Sequence, residues 1–240
     1  MGNNAVIYLL PGLLCDETVW RHQIAALSPL AEIRVPDFRG LSSFREMALK
    51  VLRGAPGRFS VAGHSMGARV ALELMQLAPE RIDKFVLMDL GVHPVQPGEA
   101  EERMVLVHVA EEQGMEVLAD AWIPPMIARA RHGDAGLIQE IRTMVLRSTP
   151  ADYRGQIEAA LQRTDQSQYL PAIKHKVLLI CGAEDEWSPV AQHESIRHQL
   201  SSAELIVIPH SGHMVTMEQP EAVNKVLLEW FQGEMVLPGN

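Results

Sequence analysis

The chain has 240 residues, 47% of them hydrophobic and 21% charged, with a formal charge of -9, enough for one large domain with a substantial core. The acidic balance and the lack of any Lys/Arg run argue against a nucleic-acid partner, which needs concentrated positive charge. Only two cysteines occur, Cys15 and Cys181, with no C-x-x-C or Cys/His pattern, so neither a disulfide framework nor a metal site is expected.

The first basic residue is Arg21, and no apolar stretch approaches the ~20 residues that span a bilayer. A soluble, cytoplasmic protein acting on a small molecule, without membrane attachment, is therefore expected; nothing in the sequence sets an oligomeric state. In chain order, the runs AVIYLL (5–10), EIRVP (32–36), RFSVAG (58–63), KFVLMDL (84–90), KVLLICG (176–182) and AELIVIP (203–209) each read as a strand buried on both faces. Helical spacing occupies 17–28, 43–53, 66–77, 190–200 and 219–232 between them. This alternation predicts an α/β fold with about six mostly parallel strands and helices on both faces.

The alternation stops between 92 and 170, where every segment carries helical spacing and Pro94, Pro97, Pro124, Pro125, Pro150 and Pro171 divide the stretch into about four helices. It reads as a helical cap over 92–170, inserted into a core formed by 1–91 and 171–240. A set of ordinary packing helices is the alternative.

Within SVAGHSMGARVAL (60–72), Ser65 lies two residues after Gly63 and two before Gly67, where a strand run gives way to a helical one. A Gly-x-Ser-x-Gly sequence in that context puts serine on a turn too tight for larger flanking residues, projecting it at the carboxyl edge of the sheet. The following helix aims its N–H groups at charge developing beside Ser65. A serine hydroxyl needs a base, and the base needs a carboxylate to orient it. Asp185, in the loop after KVLLICG, and His213, after Gly212 in the loop following the last strand, supply them in the order Ser, Asp, His.

With LLPGLLCDETVW in the first loop, GHSMGARVALELMQLAPERI at the turn, CGAEDEWSP at the acid loop and PHSGHMVTMEQPEAV at the histidine loop, the chain resembles an α/β hydrolase over nearly its whole length. The resemblance implies Ser65 as nucleophile, Asp185 as acid, His213 as base, and an oxyanion hole at the backbone N–H groups of Leu13 and Met66. It implies a carboxylesterase-like enzyme with a cap and no cofactor or metal. Three departures stand out: Pro11 precedes Gly12 where His is usual, VPDFRGLSS is short of a glycine, and no N-terminal hairpin is expected.

Rival residues have plainer readings. Asp89 is an alternative acid position but suits a loop role; Glu184 and Glu186 read as solvated, His210 as a loop residue and Cys15 as a small buried hydrophobe. Gly12, His64, Trp122 and Trp187 are candidate pocket residues, with Met126 equally suited to the core. The expected reaction is hydrolysis of a carboxylic ester or thioester through an acyl-enzyme. Lactone hydrolysis, C–C bond hydrolysis and acyl transfer use the same triad, and a ligand-binding receptor is the alternative of another class.

Overall fold

The computed structural model describes residues 5–233. Its first half lays down strand β1 (Val6–Leu10), helix α1 (Arg21–Leu27), β2 (Glu32–Arg34), α2 (Phe44–Gly54), β3 (Phe59–His64), α3 (Met66–Leu77) and β4 (Ile82–Met88). Four helices follow without a strand: α4 (Glu99–Gln113), α5 (Met115–Trp122), α6 (Ala135–Val145) and α7 (Pro150–Leu161). The chain then returns through β5 (Val177–Gly182), α8 (Val190–Gln199), β6 (Ala203–Ile208), α9 (Val215–Glu218) and α10 (Pro220–Gln232).

The six strands form one sheet in the order β2-β1-β3-β4-β5-β6, and every neighbouring pair is parallel. Side chains alternate across it. Ile7, Leu9, Ala62, Val86, Met88, Leu178 and Ile180 face a core shared with α1 and α10, while Tyr8, Leu10, Val61, Phe85, Leu87, Val177 and Leu179 face one shared with α2, α3 and α8. The expectation of six strands buried on both faces holds for the four inner strands and fails at the edges. β2 and all of β6 but its last residue, Ile208, are partly covered or exposed, because an edge strand has one neighbour.

Local chemistry sets several boundaries. Asp16 caps a 3-10 turn over Glu17–Trp20, so α1 starts at Arg21 and the helix expected from residue 17 is split. Ser43 caps α2, and Thr149 with Asp152 forms a reciprocal capping box at the start of α7, with Pro150 in its first turn. Gly114, at φ 93, separates α4 from α5. Val107, Leu118, Ile141, Met144, Tyr153 and Ile157 of α4–α7 join the same apolar cluster as the α1/α10 face of the sheet. Among the described residues no helix is long and apolar enough to cross a membrane.

Leu179 lies in the middle of β5 with no solvent exposure. Leu179→Ala is expected to lower unfolding stability by about 2–5 kcal/mol, as a lost side chain plus an incompletely closed cavity. Urea denaturation of the two proteins measures this, and a change under about 1 kcal/mol would show that the site collapses freely.

Candidate active site

β3 ends at His64 and α3 begins at Met66, so Ser65 alone makes the turn, with φ 54 and ψ -116. Such a conformation is costly for a residue with a side chain and persists only where its surroundings impose it. Here they do. A Cβ on Gly63 would fall 2.6 Å from the Ala68 nitrogen, and one on Gly67 would fall 2.6 Å from the Leu10 carbonyl carbon. Only glycine lets β3, α3 and the end of β1 approach this closely. The Ser65 N–H donates to the Met88 carbonyl at 2.8 Å, fastening the turn to the end of β4.

The loops after β5 and β6 reach the same edge. His213 Nε2 stands 2.7 Å from Ser65 Oγ, and its Nδ1 stands 2.8 Å from Asp185 Oδ2. Asp185 Oδ1 accepts the Trp187 and Ser188 N–H groups at 2.8 and 3.0 Å, and the Ser188 hydroxyl donates to Oδ2 at 2.6 Å. Burial alone would raise this carboxyl, but the His213 and Ser188 interactions outweigh it and hold Asp185 well below its ordinary value. An ionised carboxylate only accepts, so the His213 proton sits on Nδ1 and the Nε2 lone pair faces the Ser65 hydroxyl.

The histidine loop is itself tethered. His64 Nε2 donates to the His213 carbonyl at 2.7 Å; burial holds its pKa down, which favours the neutral ring. Glu218 Oε1 accepts the Gly212 N–H and its Oε2 the Ala128 N–H, both at 2.8 Å, joining this loop to the segment after α5. Local spacing singles out neither Ser188 nor Glu218, and it gives His64 only a place in the pocket. The Glu-x-Pro of the last loop is the one available signal for Glu218.

A cavity of about 420 Å³ opens onto Ser65 and His213, within the usual range for small-molecule sites. Gly12, Leu13, His64, Met66, Trp122, Met126 and Cys15 all border it, as does Trp187, which is 46% exposed with the Arg103 guanidinium 5.9 Å from its ring centre. The Leu14 N–H is spent on Gln156 Oε1 at 2.8 Å. The thiol of Cys15 donates to the Leu13 carbonyl, and burial raises its pKa strongly.

Asp89, at φ 48, is buried at the end of β4, where its Oδ1 accepts the Gly182 N–H at 3.0 Å; burial and then the Asp185 charge push its carboxyl well up. His210 and Glu184 are exposed, and Glu186 forms an exposed pair with Arg129. Among the described residues no group of three or more His, Cys, Asp or Glu is placed to hold a metal ion.

The sequence model of the alpha/beta hydrolase family matches residues 7–226. The chain belongs to the α/β-hydrolase family. It is 27% identical over 237 residues to the pimeloyl-(acyl-carrier protein) methyl ester esterase of Nitrosomonas europaea, covering 92% of this chain and 93% of that one. A thermophilic esterase from Thermogutta terrifontis superposes with a TM-score of 0.89 at 26% identity, over 97% of this chain and 91% of the other. The enol-lactonase of Burkholderia xenovorans shares the fold, with a TM-score of 0.86 at 23% identity over 96% and 92% of the two chains. The chain is accordingly an enzyme of the α/β-hydrolase type.

Because the Asp185 carboxyl is depressed in the folded hydrolase, its stabilising contribution is complete above the unfolded value of 3.8 and is lost as pH falls below it. Between about pH 6 and pH 3, wild type is expected to lose more unfolding free energy than Asp185→Asn. Urea titrations at both pH values test this, and equal losses would contradict it.

Proposed function

We propose that this hydrolase cleaves a carboxylic ester or thioester of a small molecule through an acyl-enzyme at Ser65. The observation that carries the reading is the unbroken Ser65–His213–Asp185 chain, with contacts of 2.7 and 2.8 Å, opening onto a cavity of about 420 Å³. His213 takes the Ser65 proton as Oγ attacks the carbonyl carbon, then returns it to the leaving alcohol or thiol as that bond breaks. Water, deprotonated by the same imidazole, attacks the acyl-enzyme, and Ser65 leaves with the proton. Asp185 keeps the imidazole in the required tautomer and stabilises the imidazolium.

The negative charge on the tetrahedral oxygen falls to the Leu13 and Met66 N–H groups, beside Ser65 at the cavity wall. Donors so placed contribute about 3–4 kcal/mol each in measured cases. Leu14, whose N–H Gln156 already occupies, is no candidate. Residues 92–170 act as a cap: they supply Trp122 and Met126 to the cavity, and Gln156, Arg147 and Asp152 bind the loops below at Leu14, Asp16 and Gly40. The names of the two relatives above 25% identity, both esterases, support the substrate class.

Ser65→Ala is expected to abolish turnover of p-nitrophenyl esters while retaining the folded circular-dichroism spectrum. Asp185→Asn is expected to lower kcat by about 10⁴-fold, since the wrong tautomer is favoured. Ester turnover undiminished in Ser65→Ala overturns the nucleophile; near-normal kcat in Asp185→Asn moves the acid role elsewhere.

A further inference from the structure

One turn beyond Ser65 on α3 lies Arg69. Residues four apart share a helix face, about 6 Å apart along the axis, and both border the same cavity. Arg69 is only 8% exposed, yet among the described residues it forms no ion pair. Its Nη2 donates to the His93 carbonyl at 3.0 Å and its Nη1 reaches Gln166 Oε1 at a long 3.4 Å. Both acceptors are neutral, and a guanidinium has five N–H donors. A buried cation without an anion is costly, and buried charges are normally paired.

The neighbours sharpen the imbalance. Arg163 and Arg103 border the same cavity, and both are bound to one carboxylate, Glu99, at 2.5 and 2.7 Å. Burial, followed by the Arg163 charge, pushes Arg69 down from 12.5 to about 9, in keeping with a guanidinium that touches no carboxylate. Arg103 and Arg163 thus each hold Glu99, whereas no carboxylate lies within ion-pair distance of Arg69 among the described residues; Asp165 acts on it only from farther off. Of the three arginines on the cavity wall, Arg69 is the one without an ion-pair partner, and it lies on the helix that follows Ser65.

We propose that Arg69 is the centre of a carboxylate-binding subsite, so that the preferred substrate is an ester whose acyl chain ends in a free carboxylate. This deepens the ester reading and rests on it. A planar carboxylate matches the guanidinium fork, and its one negative charge matches the single charge of the unpaired Arg69; a dianionic phosphate would be over-charged for one guanidinium. Held there, the carboxylate sets how far along the chain the scissile carbonyl lies from its end, and so fixes acyl length as well as charge.

The test compares p-nitrophenyl hexanoate with the p-nitrophenyl hemiester of adipic acid, which has the same chain ending in a carboxylate, and with an analogue ending in a phosphonate. Wild-type kcat/KM is expected to favour the hemiester over hexanoate by about 10- to 100-fold, the range for a hydrogen-bonded charged group. Arg69→Met should collapse that ratio toward unity, and Arg69→Lys should retain part of it, because the charge stays and the fork is lost. A wild-type ratio at or below one overturns the proposal, and so does a ratio that survives in Arg69→Met. Preference for the phosphonate overturns the carboxylate assignment. If no ester is turned over, the ester reading fails, and calorimetric binding to Ser65→Ala decides the subsite: tighter binding of the hemiester than of hexanoate upholds it, equal binding overturns it. Should Arg69→Met not fold, the same wild-type and Ser65→Ala comparisons decide between the two outcomes.

Discussion

The close approach of the β3–α3 turn to the end of β1 is the constraint on which the cavity depends. It is possible only because Gly63 and Gly67 have no Cβ, and it forces Ser65 to a positive φ. A parallel sheet supplies the rest, since all six strands run the same way and every carboxyl end delivers its loop to one edge. β1 thus brings Gly12 and Leu13, β3 brings Ser65, β4 brings Asp89, β5 brings Asp185 and β6 brings His213. The strained turn is held by the Ser65 N–H on Met88 and by a helix packed against β1, β3 and β4, so its cost is spread over the core.

A serine and an imidazole at 2.7 Å are useful only while the loop bearing the imidazole stays still. Three side chains from three parts of the chain see to that. His64 holds the His213 carbonyl, Asp185 holds its ring, and Glu218 holds the preceding Gly212 N–H. Glu218 does more, because its second oxygen takes the Ala128 N–H while Arg131 donates to its backbone carbonyl. The histidine loop and the helical segment that walls the cavity therefore share one buried carboxylate, and a movement of one is felt by the other.

Much of this is legible in the sequence where the signal is local. Short apolar runs between helical stretches mark the strands, and the strand-turn-helix context around Ser65 marks the turn, because both depend on residues within a few positions. The two edge strands read as fully buried because burial depends on which neighbours a strand acquires, which AELIVIP does not state. Helix α9, four residues ending at Glu218, is too short to show a period. Gln156, the tether role of His64 and the Glu218 link to Ala128 act across 90 or more residues of chain, so no spacing announces them, and only the Glu-x-Pro points to Glu218 at all. Ser188 is closer to hand, three residues from Asp185, but a polar residue in a polar loop has no distinguishing pattern. Arg69 sits in GARVAL, where a basic residue on a helix reads as a surface one; only the fold shows that this face looks inward.

The two buried aspartates at the ends of β4 and β5 show how environment, and not residue type, assigns chemistry here. Asp185 has two N–H groups, a hydroxyl and the imidazole around its oxygens, and these outweigh the cost of burying its charge. Asp89 has one N–H, from Gly182, and its other oxygen lies 3.5 Å from His64 Nε2, which is already donating to the His213 carbonyl. Burial, with few donors to offset it, and then the charge of Asp185 push its carboxyl well up. Asp89 makes no hydrogen bond to His213, so the imidazole is oriented by the Asp185 carboxylate alone. The loop after β5 thus stabilises the Asp185 carboxylate by the donors it supplies, because Trp187 and Ser188 turn their N–H groups back onto it.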